Sequence, residues 1–490
     1  MRSTRRALAA ACLAALLPVI AGGCTMAPKY TQPKPPLPAE WTSGAGAKAA
    51  PGAKMQDWRQ VIADEPTKRL VELALANNRD LRVAILNIEK AQSQYQIQRA
   101  DLLPKIDAAA GAEMSRTPAK LSSSGVAVTN RKYSVGLGFS SFELDLFGRI
   151  QSLKDEALEN FLATEASRKS VELSLVAEVA TGYLTLAADR EQLALAKEIL
   201  ETEEASHQIV QQRYDFGVAN ELELAQAQTT VDTAKINVAR YTAQVTQDEN
   251  ALSVLVGMPL SPELLPAQTL ADIAPLTPVP AGLPSEVLFR RPDVLAAEHQ
   301  LKAANADIGA ARARYFPSIG ITSSVGFASS QVSDLFNSPA GTWAFVPQLT
   351  LPIFHSGAIR AGVKSSEAQR DIMVAQYEKT VQTAFKEVSD ALAQASSLED
   401  QVKAQTSLAK ASGKSYELST LRYEAGVDSY LNKLDAQRSY ATSRQGLIST
   451  RLSRIANTLT LYKALGGGWD SPEAQAAEKA AEEKKLAEAK

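Results

Sequence analysis

The stretch LRYEAGVDSYLNKLDAQR at residues 421–438 nearly repeats QRYDFGVANELELAQAQT at residues 212–229, which lies 209 positions earlier. Seven identities carry the repeat: Arg213, Tyr214, Gly217, Val218, Leu222, Ala227 and Gln228 recur as Arg422, Tyr423, Gly426, Val427, Leu431, Ala436 and Gln437. Gly257 and Gly466 keep the same offset (466 − 257 = 209). In each copy a glycine separates two long helix-like runs, and glycine readily adopts the positive φ of a sharp helical reversal. The repeat predicts a duplicated helical hairpin.

The composition and charge favour long helices and argue against a nucleic-acid surface. The 490 residues include 52 Lys and Arg against 54 Asp and Glu, a formal net charge of −2. A phosphate-binding surface needs clustered positive charge. A chain of this length would normally form two to four domains. The duplication favours instead one architecture made of two halves.

The N-terminus has the pattern of a targeting signal. A basic start (Arg2, Arg5 and Arg6) precedes an apolar run over residues 7–20 that is too short to span a membrane. The small residues 21–23 before Cys24 resemble a bacterial lipoprotein cleavage site, where Cys24 would be lipidated. An ordinary secretory signal with an incidental cysteine is the alternative. Removing the signal also removes Cys12, which leaves one cysteine and no disulfide or cysteine metal site.

Four segments of about ten residues each alternate between apolar and small or polar side chains. They begin near Ile106, Tyr133, Ile319 and Trp343. This alternation is typical of transmembrane strands that face lipid on one side and water on the other. Soluble strands with one face on a core are the alternative.

Long uninterrupted runs predict four long helices. Residues 149–214 contain no proline and a single glycine, Gly182. At 1.5 Å per residue such a helix is roughly 100 Å long, which no compact domain accommodates. It is therefore predicted to be a coiled-coil-like element, and residues 358–423 repeat it. A shorter helix is predicted over residues 66–103, ending at Pro104.

The predicted organisation follows from these elements. It consists of a signal peptide (1–23), a lipidated extended tether lying on other structure (24–65), a first repeat (66–257), a proline-rich connector (258–285), a second repeat (286–466) and a C-terminal tail (467–490).

Four strands cannot close a barrel, and open sheet edges are not tolerated in lipid. Two copies would form an eight-stranded barrel that side chains fill, whereas three would form a twelve-stranded barrel with a lumen. The chain is therefore predicted to be a homotrimer.

The sequence resembles the TolC-like outer-membrane efflux channel family, in particular its lipidated, OprM-like members. The resemblance covers roughly residues 66–466 and is carried by ELDLFGR at 143–149, RRPDV at 290–294, RYFPSIG at 314–320 and AGVDSYLNKLDAQRSY at 425–440. One departure is Pro352, where the first repeat has Asp145. The departure is expected to alter local strand pairing only.

The resemblance implies a mixed α/β membrane protein: a homotrimer with a twelve-stranded β-barrel, a twelve-helix α-barrel and an equatorial belt. It implies a passive outer-membrane exit duct for drugs or other toxic solutes. The duct would dock a periplasmic adaptor and an inner-membrane transporter of the resistance–nodulation–division type, with the helices in the periplasm. Two alternatives stay open: the channel of a type I protein secretion system, and a non-conducting coiled-coil envelope lipoprotein.

The second hairpin carries the predicted gate. Leu431, Asp435 and Arg438 lie at i, i+4 and i+7 and so share one helix face. The resemblance places the periplasmic aperture at these positions, with Leu431 as an apolar ring and the charged pair as polar ties. The alternative is a surface i,i+3 ion pair that contributes well under about 1 kcal/mol.

The two hairpin turns are the predicted adaptor-docking tips, because they are the free ends of the longest helices. The residues are Arg213, Tyr214, Gly217 and Val218 in the first turn and Arg422, Tyr423, Gly426 and Val427 in the second. The alternative is that these residues merely cap their helices.

No enzyme pattern is present in the sequence. It contains no HExxH, no GxSxG and no phosphate-binding glycine loop followed by lysine, and its three histidines are scattered. The chain is therefore expected not to be an enzyme and to need no cofactor or metal.

Overall fold

The computed structural model describes residues 25–35, 38, 57–266, 269–270, 273, 276, 285–337 and 339–468. The predicted signal peptide, Cys24, half of the tether and of the connector, and the tail beyond residue 468 lie outside the described residues. The chain divides into two compact units. One comprises residues 1–34, 87–165 and 296–378, and the other residues 35–86, 166–295 and 379–490. Each unit therefore contains segments of both repeats.

The first repeat contains helices α1 (Trp58–Val61), α2 (Glu65–Asn77) and α3 (Arg79–Ala100), strands β1 (Asp107–Thr117) and β2 (Val128–Leu144), and helices α4 (Arg149–Asp215) and α5 (Glu221–Val256). The second contains α6 (Pro292–Ala313), β3 (Ser318–Ser329), β4 (Gly341–Thr350), α7 (Ala358–Glu424) and α8 (Tyr430–Ala464). Short 3₁₀ turns cover Pro262–Leu264, Ser285–Arg290 and Val332–Asp334. Helices α4 and α7 are both 67 residues long, and α3 and α6 are both 22. The predicted duplication and all four predicted strands are confirmed.

Two predictions for the N-terminal helices are wrong. The single helix expected over residues 66–103 is interrupted at Asn78, whose backbone is extended. The Asn78 side chain explains the break, because its Oδ1 accepts the Leu81 amide and its Nδ2 donates to the Leu255 carbonyl. The tether predicted as extended through residue 65 contains α1, which is capped by Asp57 and buries Trp58.

The four strands form one antiparallel sheet in the order β1-β2-β3-β4. Register places Val135 opposite Ala110 and Phe327, and Leu137 opposite Ala108 and Val325. Because side chains alternate between faces, these residues share one apolar face with Tyr133 and Trp343. β2 extends beyond the predicted residues at both ends.

A bulge in β2 keeps the sheet's apolar face continuous. The register shifts between Phe139 and Phe142, and Ser141 has a φ of 55°. The Ser141 amide donates to Thr322 Oγ1 at 3.2 Å. An extra residue reverses the alternation, so Phe142 and then Leu144 face the same side as Phe139.

Glycines occupy the opposite face of the sheet where β2 and β3 approach each other. Gly136 lies opposite Gly326. A Cβ at position 326 would collide with the Val135 carbonyl, and one at position 136 would lie 2.7 Å from the Val325 carbonyl oxygen. This face is therefore too crowded for larger side chains at these two positions.

The larger unit has a core of small and branched apolar side chains from α2, α4, α5 and α8. Its fully buried members include Leu70, Ala74, Val179, Ala180, Leu186, Leu252, Leu459 and Tyr462. An 18-residue stretch of α4 has a mean hydropathy of 1.3, and 56% of it is buried inside the protein. We therefore assign this apolar stretch to the core rather than to a membrane span.

Helices α5 and α8, which follow the two hairpin turns, end in the same way. Gly257 closes α5 in the left-handed conformation (φ 80°), and Gly466 follows α8 at φ 94°. Asn78 donates to the Leu255 carbonyl at 2.8 Å in the first copy. In the second copy, Arg291 donates to the Ala464 carbonyl at 2.6 Å and also pairs with Glu387. The residue preceding α3 or α6 thus satisfies a free carbonyl at a helix end.

We expect Gly257→Ala to lower the apparent melting temperature of the purified protein more than Gly217→Ala. Both positions have positive φ, 80° and 74°, so each alanine costs roughly 1 kcal/mol in backbone strain. Only at position 257 would the new Cβ also collide with the Asn77 carbonyl, since nothing lies within 4 Å at position 217. Thermal unfolding in detergent at a fixed scan rate measures both shifts. Equal shifts would contradict this account.

Candidate functional site

The two hairpin turns have the same hydrogen-bond pattern. The Val218 amide donates to the Arg213 carbonyl at 2.8 Å, and the Gly217 amide to the Tyr214 carbonyl at 2.9 Å. The second turn repeats both bonds 209 residues later, from Val427 to Arg422 at 2.9 Å and from Gly426 to Tyr423 at 3.0 Å. Gly217 and Gly426 have φ values of 74° and 72°. These are Schellman-type ends, so the sharp reversals predicted from the repeat are confirmed.

Each turn continues directly into a capped helix. The Asn220 Oδ1 atom accepts the Glu223 amide at the start of α5, and the Ser429 side chain accepts the Asn432 amide at the start of α8. A helix end followed at once by a capped start leaves only a few residues to make the reversal. Each turn is therefore hydrogen-bonded at both of its ends.

Apolar side chains are exposed at both tips. Phe216 is 83% exposed, and Val218, Leu222, Val427 and Leu431 are also exposed. A Cβ at Gly217 or Gly426 would meet no atom within 4 Å. Clustered exposed apolar groups mark interaction surfaces more often than chance, so the tips have the character of a contact surface.

Tyr423 differs from the other predicted tip residues in its burial. It is only 8% exposed, whereas its counterpart Tyr214 is exposed. The Arg213 Nη1 atom donates to the Tyr423 hydroxyl at 2.5 Å, and the guanidinium lies 5.1 Å from the ring centroid. Arg213 and Tyr423 therefore join the two hairpins, while Arg422 bonds Asp428 within its own turn at 2.7 Å.

A buried polar cluster lies behind the tips and was not predicted. The Lys433 ammonium donates to Ser206 Oγ at 3.0 Å and lies over the rings of Tyr423 and Tyr430. Burial lowers the pKa of Lys433, and the nearby Glu203 carboxylate opposes this shift. Burial raises the pKa of Glu203. The sequence signal for this cluster was a lysine at the position where the first copy has Leu224 (433 − 209 = 224).

The three predicted gate residues lie together on an exposed face of α8. Leu431 is exposed, and Arg438 Nη1 lies 3.7 Å from Asp435 Oδ1, with both side chains over 60% exposed. The buried face of the same helix carries Tyr430 and Leu434. In one protomer the pair is therefore a weak, solvated contact, and the gate prediction stays a prediction.

Residues 25–32 lie on the helices at the end of the sheet where β2 leads into α4. Thr25 contacts Ser152 Oγ at 3.4 Å, and Asn305 donates to the Pro28 carbonyl at 2.8 Å. Gly309 permits the close approach, because its Cβ would lie 2.8 Å from the Ala27 amide nitrogen. Residue 25 is thus held near the start of α4, which follows the end of β2.

No group of three or more His, Cys, Asp or Glu side chains within the described ranges is placed to hold a metal ion. The candidate site therefore consists of an exposed apolar tip, a charged face on α8 and the polar cluster between the hairpins. An exposed apolar surface of this kind can bind a partner.

Comparison with known families identifies the duplicated unit. The family described as Outer membrane efflux protein matches residues 70–258 and again residues 283–467. The two matches correspond to the two repeats.

Full-length relatives and a solved structure agree with this match. The chain is 44% identical over 468 residues to the antibiotic efflux pump outer membrane protein ArpC of Pseudomonas putida, covering 95% of this chain and 96% of that protein. Identity and coverage are the same for the toluene efflux pump outer membrane protein TtgC, also of Pseudomonas putida. The open-state MtrE outer membrane channel of Neisseria gonorrhoeae superposes with a TM-score of 0.81 at 38% identity, covering 91% of this chain and 98% of that one.

Proposed function

The chain belongs to the outer membrane efflux protein family, and we propose that it is the outer-membrane exit duct of a tripartite efflux system. The observation that carries the proposal is a four-stranded sheet with one apolar face, joined to two hairpins of long helices. The strands cross the outer membrane and the hairpins extend into the periplasm. The duct is passive, and the energy for transport comes from its partners.

We propose a homotrimer. β1 and β4 are the two edges of the sheet, so each has a row of backbone N–H and C=O groups without a partner in the described part of the protomer. Unpaired backbone groups are not tolerated in lipid. Pairing β4 of one copy with β1 of the next closes the sheet, and three copies leave a lumen while two do not.

The proposed partners are a periplasmic adaptor and an inner-membrane transporter of the resistance–nodulation–division type. The exposed apolar tips support an adaptor contact, because the described part of the protomer leaves them uncovered. ArpC and TtgC are named for antibiotic and toluene efflux, which supports small drugs or toxic solutes as cargo.

Replacing the three predicted gate side chains with alanine tests the gate. In a threefold ring, Leu431, Asp435 and Arg438 would each be present three times around one constriction. We expect Leu431→Ala/Asp435→Ala/Arg438→Ala to raise resting single-channel conductance in planar bilayers, because the variant removes both the apolar ring and the charges. The triple variant should also admit a bulky antibiotic into cells.

The matched control is Leu222→Ala/Gln226→Ala/Thr229→Ala, the same face of the first hairpin (offset 209). Light scattering in mild detergent should give a mass near three protomers for both variants. Unchanged conductance in the triple variant of Leu431, Asp435 and Arg438, or an equal rise in the control, would contradict the gate prediction. A wild-type monomer without conductance would contradict the channel itself.

The docking role of the tips is tested at the turn glycines. Gly217→Val and Gly426→Val place a β-branched residue at positive φ, which that residue strongly disfavours. We expect loss of efflux with normal trimer levels in the outer membrane, because the turns are not part of the sheet whose edges join the protomers. Gly362→Val, at an uncrowded helical position, is the control. Loss of the trimer would mean that the turns are only structural.

Lipidation of Cys24 is tested by acyl labelling. The docking of residues 25–32 on the helices near the sheet end supports an anchor at the periplasmic side of the membrane. We expect Cys24→Ser to abolish palmitate incorporation while trimers still form. Labelling that persists in the variant, or an unmodified N-terminus in the wild type by mass spectrometry, would exclude lipidation.

A further inference from the structure

The β1–β2 hairpin extends beyond the rest of the sheet at its loop end. β2 pairs with β3 only as far as Tyr133, which lies opposite Ser329. Beyond Tyr133, residues 132 to 128 of β2 pair with β1 alone. Thr129 lies opposite Arg116, and the last pair joins Val128 to Thr117. Residues 118–127 connect the two strands. This extension therefore lies at the end of β2 opposite the one that leads into α4.

Two arginines lie on the apolar face of this extension. Arg131 is two residues before Tyr133, so the two side chains lie on the same face. Arg131 pairs with Met114, and Arg116 lies two residues beyond Met114 on β1. Arg116 and Arg131 are thus diagonal neighbours across the strand pair, at a separation that long side chains can bridge.

The charge on this face is positive and unpaired. Both arginines are exposed, and neither forms an ion pair with any residue that the structure describes. Glu113 and Lys132 pair one position along the strands from Met114 and Arg131, so their side chains face the other side of the sheet. The remaining charged residues of the two loops are Lys120 and Asp334.

The length of the apolar face of β2, here called the apolar band, indicates the depth of the arginines in the membrane. The band runs from Leu144 to Tyr133, which is about ten residue steps once the bulge is discounted, or roughly 34 Å of strand. At a tilt of about 45° this spans roughly 25 Å, the height of the lipid-facing band of outer-membrane barrels. Arg131 is the next residue on this face beyond Tyr133, and tyrosine side chains are enriched at membrane–water interfaces. It therefore lies at the depth of lipid headgroups, at the end of β2 opposite the one that leads into α4.

We propose that Arg116 and Arg131 form a binding site for the phosphate groups of an outer-leaflet glycolipid. Two guanidinium groups on neighbouring strands can each donate two parallel hydrogen bonds to phosphate oxygens. The apolar side chains below them, Tyr133 and Val135, face the acyl chains of the same lipid. The inference rests on the outer-membrane location of the proposed duct and adds a bound lipid to it.

The test uses the full-length trimer and matched charge removal. Arg116→Gln/Arg131→Gln removes the proposed site, whereas Lys120→Gln/Lys132→Gln removes the same charge from the loop and from the opposite face. The probes are a phosphorylated glycolipid, its enzymatically dephosphorylated form and inorganic phosphate. Native mass spectrometry measures how much of each stays bound to the trimer.

We expect the wild type and the lysine variant to retain the phosphorylated glycolipid equally. The arginine variant should bind it at least roughly tenfold more weakly, because charge-assisted hydrogen bonds are lost. The dephosphorylated lipid should bind the wild type as weakly as the intact lipid binds the arginine variant.

Three results would overturn the proposal: equal retention by the arginine variant, equal binding of the dephosphorylated lipid, or binding of inorganic phosphate as tight as that of the lipid. Failure of the proposed function can be distinguished from failure of the lipid-binding proposal. It would be seen in the wild type as absence of trimers and of single-channel conductance, whatever lipid is bound.

Discussion

The backbone of the four-stranded sheet sets the constraint on which the rest of the molecule depends. Among the residues that the structure describes, the strands are ordered β1-β2-β3-β4, so the hydrogen-bonding groups along the two outer edges have no partner there. In water such edges are tolerated, but in lipid each unpaired group costs several kcal/mol. Association is thus part of the fold, and the glycines facing each other at Gly136 and Gly326 fit the crowded inner side of a closed, curved sheet.

Much of this architecture could be predicted from the sequence, because the signals are local. Residues 149–214 predict one helix since nothing in them breaks it, and α4 ends one residue later. The missed features depend on distant partners. Asn78 breaks the predicted helix because its side chain caps α3 and reaches the Leu255 carbonyl. The Ser141 bulge has no glycine or proline to announce it and is supported by Thr322 on the next strand.

The candidate site shows the same limit. Tyr214 and Tyr423 have the same residue type and the same turn, yet one is exposed and the other is buried under Arg213. No local pattern distinguishes them, because the difference comes from the neighbouring hairpin. The burial of Lys433 is not predicted either, although the repeat contains a signal for it, since this lysine replaces Leu224 of the first copy. Arg131 is not predicted to lie in a strand, because the alternation of apolar and small residues begins only at Tyr133.

The two repeats have kept their backbone and diverged in their charges. Arg213 of the first hairpin bonds Tyr423 of the second, whereas the equivalent Arg422 bonds Asp428 in its own turn. Lys433 likewise reaches across to Ser206. Hairpins joined this way within a protomer cannot use the same contacts between protomers, because Arg422 bonds Asp428 instead and the counterpart of Lys433 is Leu224. In the proposed trimer, six hairpins therefore form two kinds of interface in alternation, and the ring has threefold symmetry. The exposed face with Leu431, Asp435 and Arg438 belongs to only one hairpin of each pair, so a constriction built from it would have three equivalent contacts rather than six.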